Sequence, residues 1–182
     1  MLIKVVISLI VLIAFAIYTK VGIAAEGWKE TGEDIPRLCE VDTNLFRGGQ
    51  PTQEGYRQLQ AEGIKKIISF RHEKKYISQD REQVEALGME YVSLPWMIGL
   101  PYKKEIFTLF FKEIQTKQDA PIFFHCKRGS ERTGVMTGAY LIKEKGYTWE
   151  EAYEEIKQFS IKPIFMHSVK SKLKTFARLL TL

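Results

Sequence analysis

Thiols and imidazoles are scarce in this chain, which holds 2 cysteines and 3 histidines among 182 residues. Cys39 and Cys126 make no disulfide framework, and on export they form at most one bridge. So few ligating side chains, at unrelated spacings, argue against a metal site. Internal repeats and low-complexity tracts are absent, as are long basic runs and aromatic–basic interleaving. With a net charge of only +5, nucleic acid is not an expected partner. Acids are missing entirely from residues 1–25, where Lys4 and Lys20 bracket an apolar run from Val5 to Tyr18. Setting those two lysines aside leaves 25 basic residues against 22 acidic ones, a net +3, so any preference for anions must come from placement.

The first 25 residues stand apart. No polar face interrupts the apolar run, as a core helix would require. A basic start, an apolar stretch and small residues at Gly22, Ala24 and Ala25 have the layout of a secretory signal. The run is short of the roughly 20 residues of a spanning helix, but Val21–Ala25 extends it towards a retained anchor. Cleaved or retained, it places the remainder, residues 26–182, outside the cytoplasm. The remainder is periplasmic or exported in the first case and held at the membrane in the second. Hydrophobic residues make up 45% of the chain and charged residues 27%, a balance that fits one globular domain.

Strand and helix patterns alternate. Cys39–Phe46 reads as an irregular strand with a turn at Gly48–Gly49. PTQEGYRQLQAEG reads as a helix capped by Thr52 and closed by Gly63. Ile64–Phe70 is β-branched and strand-like. Ser78 opens a helix that ends near Gly88, and MEYVSLP is the next strand. Residues 103–118 repeat apolar side chains at helical spacing. PIFF is a short, wholly apolar strand of the kind covered on both faces. Helices follow over 133–145, from the capping box Thr148/Glu151, and over 167–180. This order predicts a three-layer α/β domain with a mostly parallel sheet of four to five strands, whose ligands bind beyond the carboxyl ends of the strands.

At that edge stands FFHCKRGSERTG, Phe123–Gly134. A strand delivers His125 and Cys126, and a loop then enters a helix N-terminus. Backbone N–H groups in such a loop form an anion nest, and the helix dipole adds positive potential. Gly129 permits the wrapping. Arg132, six residues beyond the cysteine, presents a planar fork for two phosphate oxygens. Thr133 sets a hydroxyl beside the sulfur. Fixed cations and a helix N-terminus turn a thiol into a thiolate, and a thiolate in a phosphate-sized cradle is placed to attack phosphorus. Ser130 belongs to the same loop. Lys127 and Arg128 either widen the anion site towards polyphosphorylated substrates or form a solvated rim. Arg71, after the Ile64–Phe70 strand, can face the same edge. His72 and His167 read as surface or cap residues. Trp96 and Met97 read equally well as pocket wall or as core.

HCKRGSERTG resembles the signature of cysteine-dependent protein tyrosine and dual-specificity phosphatases. LFRGGQPTQEGYRQLQAEGIKKIISFR, YVSLP and GYTWEEAYEE are similar to small bacterial and atypical dual-specificity members, a likeness over about residues 38–160. The resemblance implies Cys126 as nucleophile, Arg132 as phosphate ligand, Thr133 assisting the departing sulfur and His125 helping to set the thiolate, with no cofactor. It implies a phosphorylated protein, a phosphoinositide or an inositol phosphate as substrate. The family also uses an aspartate as general acid on the loop after the Tyr91–Leu94 strand. PWMIGLPYKKEIF, at that place, has none. Glu131 within the phosphate loop is the favoured substitute, Asp80 the alternative and Glu105 a third carboxylate. Two other classes remain: a pseudophosphatase that binds phosphate without turnover, separated by an aryl phosphate assay, and a rhodanese-type sulfurtransferase, separated by thiosulfate turnover.

Overall fold

The computed structural model describes residues 33–182. The expected leader or anchor, residues 1–25, lies outside them. Among the described residues no helix is long and apolar enough to cross a membrane.

Five strands form one sheet. Cys39–Asp42 (β1) and Leu45–Gly48 (β2) are antiparallel, and Lys66–Ser69 (β3), Glu90–Ser93 (β4) and Ile122–His125 (β5) run parallel to β2, in the order β1-β2-β5-β3-β4. The expected single strand over Cys39–Phe46 is therefore a hairpin. Its reversal falls at Thr43–Asn44, ahead of the expected Gly48–Gly49 turn, and Asn44 takes φ 60, a left-handed conformation that asparagine tolerates. Gly48 stays in the ladder. The cysteine loop accordingly leaves the fifth strand of the chain.

Strand side chains alternate between two buried clusters. Ile67, Tyr91 and Phe123 join Tyr56, Leu59 and Val84 from Gln53–Ala61 (α1) and Lys74–Ala86 (α2). Ile68, Ile122 and Phe124 face the other way, onto Lys104–Ile114 (α3), Glu131–Lys145 (α4), Trp149–Lys157 (α5) and Pro163–Leu180 (α6). These are the three expected layers, with β5 covered on both faces as its unbroken apolar run required. Two helices start earlier than their sequence signals. The Ser78 hydroxyl donates back to the Lys74 carbonyl at 3.2 Å within α2 and so caps nothing. Pro163 opens α6 at a first-turn position where its missing N–H does no harm. The Thr148/Glu151 capping box of α5 forms as expected.

The parallel register positions the site. Gly48 and Ser69 both stand opposite His125, and Ser69 stands opposite Ser93. Four chain segments therefore leave the sheet abreast, beginning at Gly49, Phe70, Leu94 and Cys126.

Candidate active site

Cys126 follows the last residue of β5 and is only 2% exposed, at the floor of the loop it begins. Burial, the largest influence, pushes its thiol up. The Thr133 hydroxyl, the Arg132 charge and the amides of Thr133 and Arg128 together overcome it, and the net shift is downward. These donors thus favour the thiolate form of a sulfur that is shielded from bulk water. Gly129 makes the ring closable. It sits at φ +74, and a Cβ there would lie 2.6 Å from the Gly49 amide nitrogen, so no other residue fits this wrap.

Behind the loop lies a residue the sequence reading missed. Arg47 of β2 is fully buried; its guanidinium donates to the Gly129 carbonyl and, at 3.3 Å, to the Thr137 hydroxyl. It stacks 3.6 Å above the Phe159 ring centroid. Burial pulls its pKa down, but only to about 10, so it keeps its charge. By holding the Gly129 carbonyl outward, Arg47 leaves the loop amides facing in. The signal for it was present: an arginine two residues after the buried Leu45, on a strand with no solvent face.

Arg132 leads out of the loop on α4. One terminal nitrogen, Nη1, donates to the Phe70 carbonyl at 2.6 Å and the Trp96 carbonyl at 3.4 Å, and lies 3.1 Å from His72 Nδ1. Among the described residues Nε and Nη2 bond no protein atom, which leaves one edge of the fork open. His72 is therefore part of the site's rim. Its sequence position gave no partner because the partner lies 60 residues away.

His125 is fully buried, and burial pulls its pKa down to about 3. The neutral ring donates from Nδ1 to the Cys126 carbonyl at 3.3 Å, so it orients the cysteine without adding charge. Thr133 is buried, with its hydroxyl also within 3.3 Å of the Gly48 carbonyl. Ser130 is buried too, and its hydroxyl meets no protein partner. Lys127 is exposed at the rim. Arg128 pairs with Glu131 at 2.8 Å.

The two carboxyl candidates differ sharply. Glu131 Oε1 is held by Arg128 and also accepts from the Lys162 amide at 3.3 Å. Asp80 is 5% exposed, and burial pushes its carboxyl up to about 6. It accepts from Gln50 Nε2 at 2.9 Å, while the Gln50 amide reaches the Lys127 carbonyl at 3.2 Å. Asp80 thus touches the cysteine loop only through Gln50. Arg71 reaches the expected edge, but its three guanidinium nitrogens bind Glu73 and Gln50. It braces Gln50 and holds the Glu73 carboxyl down at about 2. Glu105 lies exposed in the first turn of α3. Cys39 and Cys126 are both free thiols. Among the described residues no group of three or more His, Cys, Asp or Glu is arranged to hold a metal ion.

A phosphatase family model, described as "DSP-PTPase phosphatase fused to NAD+ Kinase", matches residues 14–171. The dual specificity protein phosphatase TpbA of Pseudomonas aeruginosa is 24% identical over 131 residues, 72% of this chain. The match spans 58% of that relative, so the chain covers little more than half its length. The crystal structure of TpbA superimposes with a TM-score of 0.69 at 18% identity, over 87% of this chain and 99% of that one. The core catalytic domain of the PP-IP phosphatase SIW14 from S. cerevisiae gives a TM-score of 0.60 at 18% identity, over 79% and 92%. These likenesses establish a shared fold, and the family model covers most of the sequence. With strand, cysteine loop and arginine placed as described, the chain belongs to the DSP-PTPase phosphatase family.

Proposed function

We propose that this chain hydrolyses phosphate monoesters through a phosphocysteine on Cys126. The observation that carries this reading is the Cys126 sulfur at the floor of the loop, its pKa held below the ordinary thiol value by the Thr133 hydroxyl, Arg132 and loop amides despite burial. The thiolate attacks phosphorus as the ester P–O bond breaks. Arg132 and the loop N–H groups hold the equatorial oxygens. The alcohol leaves with a proton, water then attacks the phosphocysteine, and the S–P bond breaks to return the thiolate and release phosphate. Thr133 stabilises the sulfur as it leaves, and Arg47 and the neutral His125 fix the loop. Lys127, Arg128, Gly129 and Ser130 line the approach of the phosphate, and Arg71 acts through Gln50.

Glu131 and Asp80 are the two carboxyls proposed to supply the leaving group's proton. Neither lies on the loop after β4, and Glu131 is already paired. Departure of a phenol needs that proton less than departure of an alkyl alcohol, so aryl phosphates such as phosphotyrosine fit this site best. Phosphoserine, phosphothreonine, phosphoinositides and inositol phosphates are the further candidates. The composition of residues 1–25 supports action outside the cytoplasm, exported or anchored.

Phosphate release from phosphotyrosine and phosphoserine peptides, a phosphoinositide and an inositol phosphate, all in chelator, tests the activity. Turnover that vanadate blocks and that Cys126→Ser or Arg132→Ala abolishes supports it. Metal-independent turnover retained by Cys126→Ser overturns it, and wild-type binding without turnover assigns a pseudophosphatase instead.

A further inference from the structure

Beside Arg132 opens a cavity of about 200 Å³. Its walls are apolar, with Trp96, Met97 and Leu100 from the loop after β4 and Phe107 from α3. Lys103 and Lys172 line it, and no carboxylate does. Two lining residues, His72 and Trp96, are the same ones that meet Arg132 Nη1, at 3.1 and 3.4 Å. Arg132 is therefore shared between the phosphate site, through its open edge, and the lining of this cavity, through Nη1.

Lys172 of α6 is the unusual member. It is 5% exposed, and its Nζ donates to the Ile98 carbonyl at 2.7 Å. No ion pair engages it among the described residues, and burial pulls its pKa down with no opposing charge nearby. An ammonium has three N–H donors, and one is in use. A buried cation without a counter-charge is costly unless something completes it. Bracing Ile98 requires only a neutral donor, so the charge itself is unexplained by that contact.

We propose that this cavity is a substrate subsite for an anionic group carried on an apolar or aromatic body, with Lys172 as the counter-charge and Lys103 at the rim. The class of substrate is a phosphate monoester whose alcohol part places a carboxylate or a second phosphate about one ring away from the scissile bond. This deepens the reading of Cys126 and Arg132 as the phosphate-cleaving pair and rests on it.

The test is a selectivity ratio. We compare kcat/KM for 4-(carboxymethyl)phenyl phosphate with that for its neutral amide, 4-(carbamoylmethyl)phenyl phosphate, on the full chain. Wild type should favour the acid by roughly tenfold, as for one charge-assisted contact. In Lys172→Gln, which keeps a donor for Ile98, the ratio should fall to about one, and a general loss of activity cancels from it. A wild-type ratio near one, which requires no variant, overturns the subsite, as does a tenfold ratio that survives Lys172→Gln. If neither ester is hydrolysed, cleavage fails separately. The subsite is then judged by calorimetric binding of the corresponding non-hydrolysable phosphonates to Cys126→Ser, where tighter binding of the acid supports it and equal binding overturns it.

Discussion

Arg47→Met probes how the cysteine loop is held from behind. The substitution keeps an unbranched apolar stem in β2 and removes a fully buried guanidinium. The Gly129 carbonyl loses its donor, which for a buried acceptor costs about 1–3 kcal/mol. The stack on Phe159, 3.6 Å from the ring centroid, is lost for up to about 2 kcal/mol. The Thr137 hydroxyl is nearly unaffected, because it still donates to the Thr133 carbonyl at 2.9 Å. Against these losses, the desolvation of a buried charge disappears, so a net destabilisation of about 2 kcal/mol is expected. For a chain of this size that lowers Tm by roughly 4–8 °C, small enough to leave the protein folded. The effect on turnover should be larger in proportion. A Gly129 carbonyl free to rotate points an oxygen towards the phosphate, and kcat for an aryl phosphate should fall by about tenfold or more. Calorimetric melting and a steady-state assay on the same preparation read both quantities. A variant that melts lower but keeps its kcat would reduce Arg47 to a core strut. One that matches wild type in both would refute the whole account of the loop.

The acid assignment is tested by comparing Glu131→Gln and Asp80→Asn on an alkyl and an aryl phosphate. The true proton donor should depress alkyl turnover by at least about tenfold more than aryl turnover, and if neither variant shows that contrast both assignments fail. Asp80 also makes a stability prediction. Its folded pKa of about 6 is raised, so its contribution is fully present below about pH 4 and is lost as pH rises through about 6. Asp80→Asn should therefore flatten that part of the stability–pH curve and be more stable than wild type at pH 7 by up to about 3 kcal/mol; an unchanged curve from urea melts would show that Asp80 titrates normally. Gly138→Ala should destabilise by about 1–3 kcal/mol, because a Cβ there would lie 2.8 Å from Leu173 Cδ2. A chevron or melt showing the usual helix gain from alanine would disprove that close approach.

What the sequence disclosed was governed by local rules, and what it withheld was set by distant contacts. β5 was legible because a short, wholly apolar run between a proline and a polar loop reads as a strand covered on both faces. The Cys126–Thr133 loop was legible because its residue types and spacing serve one chemistry. The β1–β2 hairpin was hidden because its turn uses Asn44 rather than a glycine, while the two visible glycines serve close approaches: a Cβ on Gly48 would lie 2.8 Å from the Phe123 ring. Within the site, Arg47 and Lys172 escaped notice and His72 read as a surface or cap residue because each owes its role to a partner 60 or more positions distant, whether Gly129, Arg132 or Ile98. Arg71 and Glu131 were visible as charges near the edge, but their engagement with Glu73, Gln50 and Arg128 was not.

The contact between Gly138 and Leu173 sets a rule for how this molecule can diverge. The methyls of Leu173 lie in the space that a side chain at 138 would enter, so a change at 138 requires Leu173 to shift or shorten. A descendant with alanine at 138 should carry a shorter residue at 173. Lys172 is the adjoining residue on that same turn, so drift at the helix–helix seam would also retune which esters the neighbouring cavity accepts.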